Sequence, residues 1–561
     1  MTPPTHAHLP RKMICQPAPV SGTLRRVNFA RARLPHLAVA LLTAVFVGCA
    51  TYEPKPLAPE QSAAAFEARS LESPGLREFI EERLGRPLPL WPLKQQQTDF
   101  ISLNQAWNVE LLTLTAYYFH PSLDVARARW RAAEAAEISA GARPNPTVSL
   151  QPGYNFSAAP GVTPWIPGAQ FDLPIETAGK RGLRAAKARQ ATEVARLELH
   201  TAAWKVRSEV RDALSRCAFA GEQVHMLEIK AGTQHRLTER LQQRLSAGAA
   251  TLADVLPARL ALQKTKLETS LAWESSKVSS ARAAEAIGIS THEFESVLVA
   301  HRFSPGLIMS VVLPLCSQTL GPNPQPEAVA KFAIDRLPAT SLEALAGRLQ
   351  IVLPALTNAM AAELRASAAQ ARPEIRAALA DYEAAQLALR LEIARQYPDI
   401  HLGSGYQWDQ GESKWSFLSL SAELPVLNRN QGAIAEAKAR REEAAARVVT
   451  TQVRVFAETD AAAPAYERAR SRFFSTLSYF ETQSHLVESV IAQVKAGAAD
   501  EFDQLTALLE QTNAFLMIIE ARHQAETALG KLEDALQMPL DRSRSAPLPG
   551  EFIQANPRVG K

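Results

Sequence analysis

A chain of 561 residues with 47% hydrophobic side chains can bury a sizeable core, and a net charge of +4 without a Lys/Arg stripe among aromatics argues against a nucleic-acid surface. Cys15, Cys49, Cys217 and Cys316 stand far apart and form no C-x-x-C or Cys/His pattern, which argues against a zinc site or a disulfide framework. No P-loop, G-x-S-x-G turn, H-E-x-x-H or dinucleotide fingerprint occurs, so the chain reads as a non-enzyme with no catalytic residues, metal site or cofactor. His120, His225, His235, His485 and His523 are isolated on helical stretches and are expected at the surface.

At the start, Arg25, Arg26, Arg31 and Arg33 precede an apolar run from Leu37 to Val47 that ends in Gly48-Cys49-Ala50. A run of about 11 residues is too short to cross a bilayer that needs about 20, and it reads as an export signal. A small residue followed by Cys is similar to a bacterial lipoprotein cleavage site. The expectation is a signal peptide or upstream extension over 1–48 and an acylated Cys49 heading the mature chain, with plain signal processing as the alternative. Residues 49–100, with Pro54, Pro56 and Pro59, are expected to be a lipid-anchored extended tether. No later segment has 18 consecutive apolar residues, so membrane insertion must come from strands.

The remainder is duplicated. His120-Pro121 answers Arg372-Pro373, Pro146 answers Pro398, and Gly153-Tyr154 answers Gly405-Tyr406, all at an offset of 252 residues. Ala247-Gly248-Ala249 and Asp254 answer Ala496-Gly497-Ala498 and Asp503 at 249. An offset that drifts by three without losing order is what two copies of a domain leave after small loop deletions. The repeats are placed at 101–289 and 366–540, with an equatorial connection over 290–365 and a tail over 541–561 forming a belt.

Each repeat reads as helix, two strands and a long helical hairpin. Residues 123–141 are Ala-rich and charged, ending before Pro144 and Pro146. In Thr147–Phe156, Val148, Leu150, Tyr154 and Phe156 alternate with Thr147, Ser149, Gln151 and Asn155. Trp165, Ala169, Phe171 and Leu173 form the apolar parity of the second strand. Ile400, Leu402, Tyr406 and Trp408 do so in the third, and Leu418, Leu420, Ala422 and Leu424 in the fourth. Strands of about ten residues suit a tilted membrane crossing, and the aromatics gather beside the turns as at a bilayer interface. Leu150, Phe171, Leu402 and Leu420 are therefore expected to face lipid. The following helices, over about 180–246 and 431–495, extend about 100 Å at 1.5 Å per residue, with Gly221, Gly232 and Pro464 as places for a kink.

Four strands cannot close a barrel, and an open edge in hydrocarbon costs several kcal/mol per unpaired group. Two chains give eight strands filled by side chains, and three give twelve, enough for a lumen.

The repeated arrangement, the run from Asp172 to Arg184 (DLPIETAGKRGLR) and the runs AGAATLADVL at 247–256 and AGAADEFDQL at 496–505 resemble the TolC family over about residues 50–540. Gly179-Lys180-Arg181-Gly182 resembles its CzcC-like heavy-metal branch. The resemblance implies a mainly α fold with a membrane β-barrel. It would be a homotrimer with four strands per chain, a twelve-stranded barrel and long periplasmic hairpins, set in outer-membrane lipid. It further implies a passive efflux channel that meets a periplasmic adaptor and an inner-membrane pump of RND type and carries metal cations, or drugs and other small molecules. The competing class is a periplasmic coiled-coil adaptor or structural lipoprotein without a pore.

Gly248 and Gly497 are placed at the two hairpin tips, where an adaptor would dock. Thr251 with Asp254, and Asp500 with Asp503, are spaced as capping boxes with Asp in place of Glu. The resemblance also makes Asp503 an acidic gate position, and Asp254, Asp500 and Asp503 are carried forward as the periplasmic gate. The second acidic gate position of the family is Thr506 here.

Overall fold

Stretches rich in alanine and charge become helices of unusual length, and short alternating stretches become one sheet. The computed structural model describes residues 52–88, 107, 109–300, 353–409 and 411–540. Cys49, residues 301–352 of the expected connection and the 541–561 tail lie outside them. The chain separates into two units, 1–63 and 64–561. In the first, residues 52–58 have no regular structure, and α1 (Pro59–Glu67) begins near its end.

The tether expectation needs a correction within 64–88. Helix α2 (Pro74–Leu84) buries Leu76, Phe79 and Ile80 and packs on α3 (Val109–Phe119). Apolar residues spaced by three and four give α2 one sticky face, and Pro74 at its first turn starts it.

The first repeat continues with α4 (Pro121–Gly141), β1 (Thr147–Tyr154), β2 (Trp165–Ile175), α5 (Lys180–Ser246) and α6 (Leu252–Ile287). After α7 (Thr291–Ala300) and α8 (Asn358–Ala371), the second gives α9 (Pro373–Ala394), β3 (Ile400–Asp409), β4 (Glu412–Ala422), α10 (Gln431–Lys495) and α11 (Glu501–Leu536). Helices α5 and α10 have 67 and 65 residues, and Gly221, Gly232 and Pro464 lie inside them without dividing them.

Beside each long helix, two shorter ones meet end to end. Gly288 caps α6 with φ +84°, and a Cβ there would stand 3.3 Å from backbone atoms of Phe119 and His120, where α4 begins. Only glycine fits that approach. In the second repeat, Arg372 precedes α9 and its Nη1 donates to the Ala535 carbonyl near the end of α11 at 3.1 Å. The His-Pro and Arg-Pro pairs at the 252-residue offset are thus the two stacking joints, with proline where a helix needs no N–H donor.

Towards the sheet the neighbours run α4, α5, α9, α10; towards the tips they run α6, α5, α11, α10. Two large apolar clusters hold this layer. One joins α2 and α3 to α5 through residues such as Phe79, Tyr117, Val206 and Val210. The other joins α10 and α11 through Tyr466, Phe473, Phe515 and Ile518, with Leu353 and Ala368 added from the α8 side. Among the described residues, no helix is long and apolar enough to cross a membrane.

Candidate functional site

The four strands form one antiparallel sheet in the order β1-β2-β3-β4, so β1 and β4 are left as open edges. Direct cross-strand partners share a face. Val148 pairs with Phe171, Leu150 with Ala169, Ala169 with Tyr406, Leu173 with Leu402, and Leu402 with Leu420. The register therefore brings Leu150, Phe171, Leu402 and Leu420 onto one face. Ser149, Gln151, Gln170, Asp172, His401 and Gln407 occupy the other, where His401 Nδ1 and Asp172 Oδ2 stand 2.9 Å apart.

A register shift between Gly403 and Gly405 corrects the reading of the fourth strand as a simple alternation. It changes the phase of β4, so Trp415, of odd number, pairs with Tyr406 on the same face as even-numbered Leu420. The rings of Tyr406 and Trp415 touch at 4.6 Å, and those of Tyr154 and Trp165 at 5.1 Å. A Cβ at Gly403 would press on the Ser419 hydroxyl, which would have to rotate away, and would stand 3.2 Å from the Phe171 carbonyl oxygen.

Where sheet passes into helix, the Gly179-Lys180-Arg181-Gly182 run forms a joint. Gly179 takes φ +70°. The Lys180 side chain is 8% exposed, and its Nζ donates to the Tyr397 carbonyl at 2.6 Å and to Asp399 Oδ1 at 2.8 Å. Asp399 Oδ1 also accepts from the Thr177 N–H at 2.9 Å. Arg181 reaches the Gly141 carbonyl at the end of α4, and Arg184 pairs with Glu176. Arg181 thereby satisfies a carbonyl that the end of α4 leaves open. In the second repeat Asn430, with φ +61°, takes the corresponding place and its Nδ2 donates to the Glu392 carbonyl at 2.8 Å.

At the far end, both tips reverse through glycine: Gly248 and Gly497 each have φ +74°. Asp254 Oδ2 accepts from the Thr251 N–H at 2.8 Å and from its hydroxyl at 2.7 Å. Asp500 and Asp503 cap each other reciprocally, at 3.0 and 3.1 Å. The Thr251 N–H, followed by its hydroxyl, holds Asp254 below the usual carboxylate range. Asp500 is lowered too, chiefly by the Asp503 N–H, with burial opposing and the Arg244 charge adding to the lowering.

Sequence reasoning missed the partners of this acidic turn. Arg244 pairs with Asp500, and Arg240 and Arg236 pair with Glu501, the latter at 3.4 Å. All three arginines come from α5, so they tie the second hairpin to the first. Their spacing of four residues was the available signal, since it sets them on one helix face. It also missed a buried pair across the same helices, Arg522 to Glu222 at 2.7 Å. Of the histidines expected at the surface, His235 and His485 are exposed, whereas His120, His225 and His523 are half-buried, His523 stacking on Phe219 at 4.5 Å.

The family model for outer membrane efflux proteins matches residues 117–288 and 364–536, which cover both repeats. The chain belongs to that family. The cobalt-zinc-cadmium resistance protein CzcC of Cupriavidus metallidurans is 24% identical over 266 residues, 47% of this chain and 51% of CzcC. The match thus spans about half the length of that curated relative. Among solved structures, the outer membrane protein VceC of Vibrio cholerae is 18% identical with a TM-score of 0.55, over 77% of this chain and 97% of VceC. The CmeC outer membrane channel of Campylobacter jejuni is 12% identical with a TM-score of 0.56, over 84% of this chain and 95% of CmeC. These likenesses show the fold of outer membrane efflux proteins: a small antiparallel sheet continued by long helical hairpins.

Proposed function

We propose that this efflux-family chain is the channel subunit of a tripartite exporter, with three copies closing a twelve-stranded barrel in the outer membrane and a helical tube beneath it. The observation that carries the reading is the sheet. One face is apolar and the other polar, both edges are open, and Leu150 and Leu420 are 76% and 68% exposed. Such a sheet is a liability in water, whereas lipid on one face, a wet lumen on the other and a neighbouring copy at each edge satisfy it. Leu150, Phe171, Leu402 and Leu420 then face lipid. The helical layer supports the same closure, because α6 leaves Leu256, Leu260, Leu267 and Leu271 exposed on one side, and α10 leaves Val449, Val453 and Leu486 exposed on the other.

In this reading the hairpin tips at Gly248 and Gly497 meet a periplasmic adaptor, which links the channel to an inner-membrane pump of RND type. Asp254, Asp500 and Asp503 lie at the periplasmic mouth, and Arg244 and Arg240 hold the two tips of each chain together there. The passage is passive and carries small molecules or metal cations. Cys49, outside the described residues, is the acylated first residue of the mature chain; mass spectrometry of the N-terminus decides this, and an unmodified terminus elsewhere removes the anchor.

The deciding experiment is reconstitution in planar bilayers together with carbonate extraction of membranes. A channel conducts and resists extraction. A protein that is extracted and never conducts is instead the adaptor or structural lipoprotein.

A further inference from the structure

The helical layer carries a concavity of about 860 Å³ where the end of α11 meets the start of α9. Its side is fixed by α8. Arg365 of α8 pairs with Asp460 and lies over the Phe456 ring, and Arg470 reaches the Leu353 carbonyl, so α8 and its leading segment cover one side of α10. Glu458, Ala461, Ala462 and Ala465 of α10 line the concavity, about half a turn around the helix at 100° per residue. If the equatorial elements belt the tube, the concavity opens to the lumen.

Its chemistry is uneven. Ala461, Ala462, Ala465, Ala528 and Ala535 make an apolar floor. The three carboxylates are already engaged: Glu458 by Arg372 at 2.7 Å, Glu374 by Arg454 at 2.7 Å, and Asp534 by Arg211 at 2.9 Å and the Trp204 indole at 3.0 Å. The two lysines are less engaged. Lys531 on the rim has no hydrogen bond or ion pair among the described residues, and Lys205 has only Glu209 at 3.8 Å. Arg372 is 4% exposed, yet its Nε has no acceptor; Gln537 Oε1, also on the lining, has no donor. Both atoms are closed to solvent, so they shape the wall and are not reached from the concavity.

We propose that this concavity is a transit site in the channel wall for small amphipathic organic anions, whose charged group meets Lys531 and Lys205 while the apolar body lies on the alanine floor. The assignment rests on the channel reading, because only there does this surface line a passage. It adds a preference that the tip carboxylates do not share.

The test uses the full-length protein in planar bilayers, with naphthalene-2-sulfonate as the anionic probe and a naphthyl-trimethylammonium cation of similar apolar size as the control. Wild type is expected to show concentration-dependent current block by the sulfonate at the applied polarity that drives it inward. Lys531→Glu and the pocket-filling Ala462→Leu should each raise the blocking concentration about tenfold, the equivalent of about 1.4 kcal/mol, without changing open conductance. Lys531→Gln provides a milder variant if charge reversal disturbs assembly. Normal pores blocked equally by both probes, or by the sulfonate with unchanged strength in Lys531→Gln, would overturn the site and leave the channel intact. A protein that never conducts overturns the channel reading and the site with it.

Discussion

Exchanging one residue on each side of strand β2 tests the membrane assignment most directly. Phe171 and Gln170 are neighbours near the middle of β2, and the register sets them on opposite faces. The strand has 11 residues, which at about 3.3 Å per residue and a tilt near 45° rise about 26 Å, close to the apolar band of an outer-membrane barrel. Both positions then lie near the bilayer midplane. Phe171→Arg places a guanidinium in hydrocarbon at about 2–4 kcal/mol per chain, or about 6–12 kcal/mol for a trimer. Gln170→Arg points into water and forfeits only the contact of Gln170 with Gln151 at 3.2 Å, about 1 kcal/mol or less. Urea titration of protein folded into lipid vesicles, followed by intrinsic fluorescence and by heat-modifiable migration on gels, reads the difference. The midpoint of Phe171→Arg should fall strongly while that of Gln170→Arg stays near wild type. Equal midpoints for the two variants would refute the two-faced sheet as a membrane wall.

Other consequences follow from the joint and the tips. Lys180→Met removes two short contacts from a nearly buried ammonium, and because Asp399 keeps the Thr177 N–H and some solvent, the loss should be about 2–3 kcal/mol by urea titration; a change below about 0.5 kcal/mol would show that the joint is held elsewhere. Asp503→Asn keeps an acceptor for the Asp500 N–H, so the tip should stay folded while cation selectivity in bilayers declines; unchanged selectivity leaves Asp503 as a cap alone. Asp254 and Asp500 titrate below their ordinary value when folded, so their stabilisation is complete above about pH 4 and is lost as pH falls through the lower folded values. Hydrogen exchange at 251–256 and 500–505, corrected for intrinsic rate, should show steady protection from pH 7 to 5 and loss only in acid; loss between pH 7 and 5 would exclude this account.

Local periodicity made much of the fold legible. The backbone repeats every two residues in a strand and every 3.6 in a helix, so alternation over 147–156 marked a strand observed at 147–154, and unbroken helix-forming composition over about 180–246 and 431–495 marked helices observed at those bounds. The duplication was equally plain, because its glycines and prolines stand where backbone geometry permits little else: Gly248 and Gly497 at reversals, Pro121 and Pro373 at helix starts. The capping boxes were readable as well, since their partners lie three residues apart.

Tertiary structure decided what depends on partners far along the chain. Arg244 and Asp500 are separated by 256 residues, Lys180 and Asp399 by 219, and Arg522 and Glu222 by 300. No local pattern reports such a pair, because its formation follows from how helices are laid side by side. The re-phasing of β4 opposite Gly403 and Gly405 is of the same kind: a register shift is a relation between two strands and leaves no trace in either alone. Helix α2 was mistaken for tether because its three buried residues are too few to stand out among prolines until α3 supplies the surface that buries them. The concavity between α5, α10 and the α9–α11 junction exists only as space between helices, so sequence could supply its alanines and lysines but not their convergence.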